Sequence, residues 1–440
     1  MMNTKKKDIP SILAFAGLLA YICIYPIIGY LPIYQFRILE YNAKATIALS
    51  VFFFILFLIF ILTDRMKEIK LNLAYLCVVG LALVAILNVM VTENKDLAIW
   101  GDDGRNEGIF ALLGYYLVFF FATRLKKEER KWIIYALCLL GVVTTVTGIL
   151  QFFDIYNPHH FWRFLNMAYI PMGNPNFYGS FAVMFSGIAM AGALLYEKES
   201  NVFHPFGWMN QVFWYALSAI SFITCIVADS SLCYVGIAMM FLLMIFLEII
   251  NKKHRFLRIA FLLILLVAML LLFNLLSNGK VLGELFSVGK QISNAESIFS
   301  DEVGTGRMEM WKNGLKLLPS CWLFGCGIEN LLGIYTSNFG PKADGCVTDK
   351  VHNEYLNLWL TEGTFALVFY LVFLFALFVP GIVYHVKSDK YEQDEVAKIA
   401  FIAFFGYIAQ AFFNISVIQV APYFWMICGL LMLRKKTVSR

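Results

Sequence analysis

The residue type here that best suits chemistry is a histidine where water meets lipid, a place for proton transfer on a membrane-bound substrate. His352 lies in Val351-His352-Asn353-Glu354-Tyr355-Leu356, where a polar stretch gives way to an apolar run. A free imidazole titrates near about 6.5, so it can take a proton from a hydroxyl at neutral pH. A polar anchor at a helix end is the plainer reading of the same residue. Glu329 and Glu354 are the alternative bases. Arg307 and Arg105 each offer an always-charged planar fork that matches two phosphate oxygens. Each could equally pair with a carboxylate or a lipid phosphate. Asn174 and Asn176, on either side of Pro175, can hydrogen-bond phosphate or sugar, or cap the helix that follows. Tyr355, close to His352, either orients it or packs. Asp102-Asp103 with Glu107 makes at best a thin cation site, and no paired histidines accompany it. Solvated loop charge is the better reading, and neither a metal nor a cofactor is expected.

These groups need a scaffold, and composition identifies it. Of 440 residues, 60% are hydrophobic and 15% charged, with a mean hydropathy of +0.72. Soluble domains carry about a quarter charged residues. The expected fold is all-α, a single integral-membrane domain over 1–440. Spans of roughly 20 apolar residues fall near 11–33, 46–63, 71–91, 108–123, 132–152, 176–196, 212–228, 231–250, 259–277, 364–385, 399–415 and 418–433. Helices follow because a lone span must satisfy its own backbone hydrogen bonds. The first span is too long for a removed signal peptide and lacks a small-residue cleavage site.

Most of the 35 lysines and arginines fall in alternate connections. They include Lys5-Lys6-Lys7, Arg65 to Lys70, Arg124 to Lys131, Lys252 to Arg258, Lys387, Lys390 and Arg434 to Lys436. The positive-inside rule makes that side cytoplasmic, with both termini inside. The segments near 92–107, 153–175 and 278–363 then face outward. The net charge of +5 is accounted for by topology and calls for no nucleic acid.

The 278–363 loop has internal order. Met308, Trp311, Leu315 and Leu318 recur at helical spacing, which predicts an amphipathic helix ended by Pro319. That helix lies on the membrane surface or packs on the bundle. Asp349 is the expected N-cap of the helix carrying His352. Cys321, Cys326 and Cys346 allow at most one bridge within the loop, and spacing does not choose the pair.

Several of these segments, in this order, resemble the O-antigen ligase and O-antigen polymerase superfamily of bacterial membrane glycosyltransferases. They are Gly104-Arg105-Asn106-Glu107-Gly108; Gly173-Asn174-Pro175-Asn176-Phe177-Tyr178-Gly179; Gly306-Arg307 with Trp311, Phe324-Gly325-Cys326-Gly327 and Asn330; and His352-Asn353, Tyr355-Leu356 and Glu362-Gly363. The resemblance covers roughly residues 100–380. One departure is visible. Many members carry a Ser-Arg-Gly arginine after the GNPN helix, whereas this chain has Asp229-Ser230-Ser231-Leu232-Cys233-Tyr234. That arginine's role is not carried over.

The resemblance implies a GT-C-like arrangement in the bacterial cytoplasmic (inner) membrane. It implies an undecaprenyl-diphosphate-linked glycan donor and a glycan, lipid or protein acceptor. It implies metal-independent, inverting transfer in O-antigen, capsule or exopolysaccharide synthesis. His352 would serve as base and Arg307 and Arg105 as diphosphate contacts. Asn174, Asn176, Tyr355 and Glu329 would line the substrate. The rival class is a transporter or flippase of lipid-linked glycan. Against it stand the outward position of the long loop and the scarcity of charges within the spans.

Overall fold

The computed structural model describes residues 9–31, 35–63, 71–103, 105–156, 167–195, 210–251, 255–283, 285–286, 306–341, 347–387 and 394–433. Among the expectations above, those on Lys5-Lys6-Lys7, Arg65 to Lys70, Gly104, Lys252, Lys253, Cys346, Lys390 and Arg434 to Lys436 lie outside the described residues.

The protein is an all-α polytopic membrane protein. Its long helices are α1 (Ile9–Tyr30), α2 (Gln35–Leu62), α3 (Leu73–Val91), α5 (Ile109–Arg124), α6 (Lys127–Phe152), α7 (Pro175–Leu195), α8 (Asn210–Ala228), α9 (Ser231–Asn251) and α10 (Phe256–Leu276). After the long loop come α13 (Glu354–Val386), α14 (Glu395–Gln410) and α15 (Ala421–Leu431). Shorter helices are α4 (Lys95–Trp100), α11 (Arg307–Cys321) and α12 (Leu331–Phe339). A helix stands at each of the twelve expected spans. Among the described residues, ten are long and apolar enough to cross a membrane. The other two, α5 and α15, have 16 and 11 residues.

Position in the bundle follows from which faces are apolar. Helix α10 buries only Ile259, Leu262, Leu266 and Phe273. Its Leu257, Leu263, Ile264 and Leu271 are exposed, as expected of a helix whose outer face meets acyl chains. Helix α7 is buried at almost every position and packs between α8 and α14. It is the central post, and the Asn174-Pro175-Asn176 segment opens it, with Asn174 just before its first turn.

Two local expectations are corrected. Helix α11 does not stop before Pro319; it continues to Cys321 with Pro319 inside. Its buried face is Met310, Gly314, Leu317, Leu318 and Cys321, while Leu315 is exposed. The stripe is rotated because Gly314 admits close approach. A side chain there would meet Leu360, Val351 and Leu356. Backbone proximity to α13, rather than the largest apolar side chains, sets the face. Asp349 does not cap the next helix either. Asn353 does, its Oδ1 accepting from Leu356 N at 3.0 Å. His352 therefore precedes α13 and takes φ +50°.

Candidate functional site

The site is assembled by a clasp across the long loop. Helix α13 is broken at Gly363, at φ +87°, which releases carbonyls ahead of it. The turn after α11 captures them: Cys326 N donates to Leu360 O at 2.8 Å and Gly327 N to Thr361 O at 3.0 Å. In return Thr364 N donates to Trp322 O at 2.8 Å. Both chains must be bare here. A Cβ on Gly325 would lie 2.2 Å from Thr361 O, and one on Gly363 2.3 Å from Leu323 O. Asn88 of α3 closes the knot. Its Nδ2 donates to Phe324 O at 2.8 Å and Thr361 O at 3.0 Å, and its Oδ1 accepts from Ile328 N at 2.8 Å.

Behind the clasp lies a buried ion cluster. Lys350 Nζ reaches Glu107 Oε2 at 2.5 Å and Glu329 Oε1 at 3.0 Å, and the three side chains are 7%, 4% and 5% exposed. Glu107 also accepts from Tyr115 OH and Ser416 Oγ. Asp102 N donates to Glu329 at 3.4 Å. Burial opposes the Lys350 charge, but Glu107 and Glu329 outweigh it and hold its pKa above the ordinary value. Burial pushes Glu329 up, and Lys350 only partly offsets that. Two distant segments and the approach to His352 are thus pinned by one ammonium.

Arg105 sits beside this cluster. Its Nε and Nη2 donate to Asp349 at 2.5 and 3.3 Å. Its guanidinium lies 5.5 Å from the Phe177 ring centre, so it also touches the GNPN helix. Burial opposes its charge; Asp349, then Glu329 and Glu107, more than compensate and hold it above its usual value. Asp349 is likewise pushed up by burial, yet Arg105, Lys350 and His352 together hold it below the carboxylate range. The structure thereby brings together Arg105, Glu329 and the Asp349–His352 segment from three separate stretches of sequence.

The remaining expected residues do more structural work. Asn174 Oδ1 accepts from Asn176 N at 2.8 Å, which caps α7. Asn176 Oδ1 accepts from Ser230 Oγ at 3.1 Å, and its carbonyl accepts from Asn414 Nδ2 at 3.2 Å. Tyr355 donates its hydroxyl to Ile408 O at 2.7 Å and lays its ring 4.5 Å from Phe412. It packs α13 onto α14. Glu354 accepts from Tyr370 and Tyr407. Arg307 begins α11, one turn before Trp311, whose ring meets Phe413 at 5.8 Å. It shares the helix face of Met310 and Gly314, and burial pulls its pKa below the ordinary value.

A cavity of about 80 Å³ is lined by Glu107, Glu329, Lys350, Glu354 and Glu362, among others. At roughly 30 Å³ per liquid water, it has room for two or three. The apolar spans looked almost free of charge in sequence; folding gathers these groups at one end of the bundle. Among the described residues, no three His, Cys, Asp or Glu side chains meet as a metal site. Cys321 and Cys326 are free thiols.

Sequence reasoning missed Asn88 and Lys350 and misassigned Asp349. A lone amide inside an apolar span was a usable signal for Asn88. Nothing periodic marks Lys350 or Asp349, whose partners Glu107 and Arg105 lie more than two hundred residues away.

The described residues form an all-helical membrane bundle in which the loop clasp stands beside the cluster of Lys350, Glu107, Glu329, Arg105 and Asp349. Residues 216–371 match the family described as O-antigen ligase. That match supports the O-antigen ligase and polymerase superfamily and indicates an O-antigen ligase-type function in polysaccharide biosynthesis. No curated protein matches the chain.

Proposed function

We propose that this protein transfers or polymerises a glycan from an undecaprenyl-diphosphate-linked donor onto an acceptor hydroxyl at the outer face of the bacterial cytoplasmic membrane. Both termini are then cytoplasmic. The observation that carries the reading is the family match over 216–371, which includes both Arg307 and His352.

The acceptor oxygen attacks the anomeric carbon while the bond to the diphosphate breaks and leaves its electron pair on oxygen. His352 takes the acceptor's proton. Its place before the Asn353 cap leaves it on non-helical backbone between Asp349 and α13, and it is only partly buried. Arg307, a desolvated cation on the face of α11 turned toward α13, gains most from an incoming diphosphate, because charge-assisted bonds strengthen out of water. Arg105, Asn174, Asn176, Tyr355 and Glu329 line the substrate region as donor contacts or as the walls that fix them. No divalent metal takes part, and the product is inverted at the anomeric carbon.

The test is turnover of a purified lipid-linked oligosaccharide by the full chain in detergent or liposomes. A new glycosidic bond, formed in the presence of EDTA, is the expected result. Transport of intact donor without a new bond would replace this reading with that of a flippase.

A further inference from the structure

Helices α3 and α13 pack against each other. Their seam is tight at Gly80, where a Cβ would lie 2.8 Å from the Phe369 ring. Beyond that point, toward the end of the bundle opposite the clasp, it opens into a groove of about 700 Å³. Ligand sites commonly enclose about 300–1,000 Å³. Ala74, Leu377 and Leu431 are buried and form the floor, while Leu73, Phe375 and Val379 are exposed and form the walls. Counted from Gly363, which opens the apolar span, the lining of α13 begins at the eighth residue, Leu371, and ends at the seventeenth, Pro380. At about 1.5 Å per residue that is roughly 12–26 Å into a hydrocarbon core of about 30 Å. The groove therefore lies largely in the leaflet farther from the clasp, the cytoplasmic one in the proposed orientation.

One end of the groove is polar. Among the described lining residues Asn72 alone is polar, and its Oδ1 caps α3 by accepting from Tyr75 N at 3.1 Å. The Tyr75 hydroxyl bonds the Thr123 hydroxyl at 2.6 Å, and half-buried Arg124 follows as the last residue of α5. Thr123 N would also lie 3.2 Å from a Cβ on Gly429 of α15. The start of α3 and the ends of α5 and α15 thus meet at this mouth, with an arginine among them. The positive end of the α3 dipole points the same way electrostatically.

We propose that this groove binds one anionic glycerophospholipid, its acyl chain along the α3–α13 seam and its phosphate at Arg124 and the start of α3. An acyl chain gains little by leaving its neighbours for these walls, because lipid tails are as apolar as leucine. Headgroup charge is what singles out one lipid. A guanidinium carries five N–H donors, so Arg124 can serve a phosphate alongside a protein partner. A polyprenyl chain would suit the walls equally, but the diphosphate of the proposed donor is handled at the clasp, at the other end of the bundle. The lipid braces the start of α3, the helix whose Asn88 closes the clasp at its far end. This site does not depend on the glycosyltransferase reading, and its test needs no donor.

The experiment is native mass spectrometry and thermal unfolding of the full chain, purified in detergent and titrated with dioleoyl phosphatidylglycerol or dioleoyl phosphatidylcholine. The two lipids share their chains and differ in net charge. The expected result is a one-to-one phosphatidylglycerol adduct, about tenfold tighter than that of phosphatidylcholine, with a rise in thermal midpoint. Arg124→Gln should erase the preference and leave the weaker binding common to both lipids. Ala376→Phe and, separately, Val372→Trp put bulk into the groove. Each should remove the adduct while the lipid-free midpoint holds. Equal affinity of the wild type for the two lipids, or a preference that survives Arg124→Gln, leaves only annular lipid and overturns the site. An adduct that persists in both filled variants places the lipid elsewhere and overturns it too. Displacement of phosphatidylglycerol by equimolar undecaprenyl phosphate would assign the groove to a polyprenyl tail, and a dimer formed in place of the adduct would assign it to a second copy of this chain. Either result is equally fatal to the proposal.

Discussion

His352 and Arg307 carry opposite halves of the proposed chemistry, so their variants should fail differently. His352→Gln retains a hydrogen-bonding side chain but cannot take the proton. A general base contributes about 10²–10⁴-fold, so glycan product should fall by that order while the amount of membrane-inserted protein holds. Lipid-linked precursor should accumulate. Near-normal output from this variant would make His352 a helix-end residue and move the search to Glu329 or Glu354. Arg307→Lys keeps the charge and loses the planar fork. It should lose most of its product with protein level unchanged, and undecaprenyl diphosphate binding should weaken. A lysine variant that binds and turns over as wild type would reduce Arg307 to a surface charge.

Among the elements, the clasp between the α11 turn and the α13 kink is what gives these residues a fixed place. Gly363→Ala combines a positive φ with a Cβ 2.3 Å from Leu323 O, so the turn must open. Strain of this kind costs about 1–3 kcal/mol, and the thermal midpoint of the purified protein should drop measurably. Asn88→Leu removes one acceptor and two donated bonds at once. Each buried orphan costs about 1–3 kcal/mol, so this variant should be less stable than Gly363→Ala. An Asn88→Leu protein with wild-type midpoint would show that water replaces the amide and that the clasp is not the organising feature. The helices themselves were legible in sequence, down to the break at Asp229-Ser230, because a membrane span declares itself by an uninterrupted apolar run. The register of α11 was not. Its buried face is chosen by Gly314, whose lack of a side chain is invisible to a search for apolar stripes. Asp349 was the expected cap by residue type; Asn353 takes that place, while Asp349 is engaged by Arg105 from a distant segment. The gathering of Glu107, Glu329, Lys350, Glu354 and Glu362 around one cavity was unreadable for the same reason: each is a lone charge until the chain folds.

For the whole molecule, the central post α7 and the site meet at one end of the bundle, and the proposed function requires that end to face outward. Near the site, Glu309 and Lys312 of α11 are exposed, whereas Lys127 starts α6 at the opposite end of the long helix that finishes at Phe152. Arg130, one turn further along α6, pairs with Asp394 at the start of α14, so the two connections share a side. In the proposed orientation, which follows the positive-inside rule, that side is cytoplasmic. In intact cells, with exposed Cys23 and the loop cysteines Cys326 and Cys346 replaced by serine, Lys312→Cys should react with a membrane-impermeant thiol reagent. Lys127→Cys should react only after the cells are opened. The reverse pattern would place His352 on the cytoplasmic side, away from a glycan already carried across the membrane. No residue-level result could then rescue the mechanism, because base, arginines and clasp would all be facing the wrong compartment.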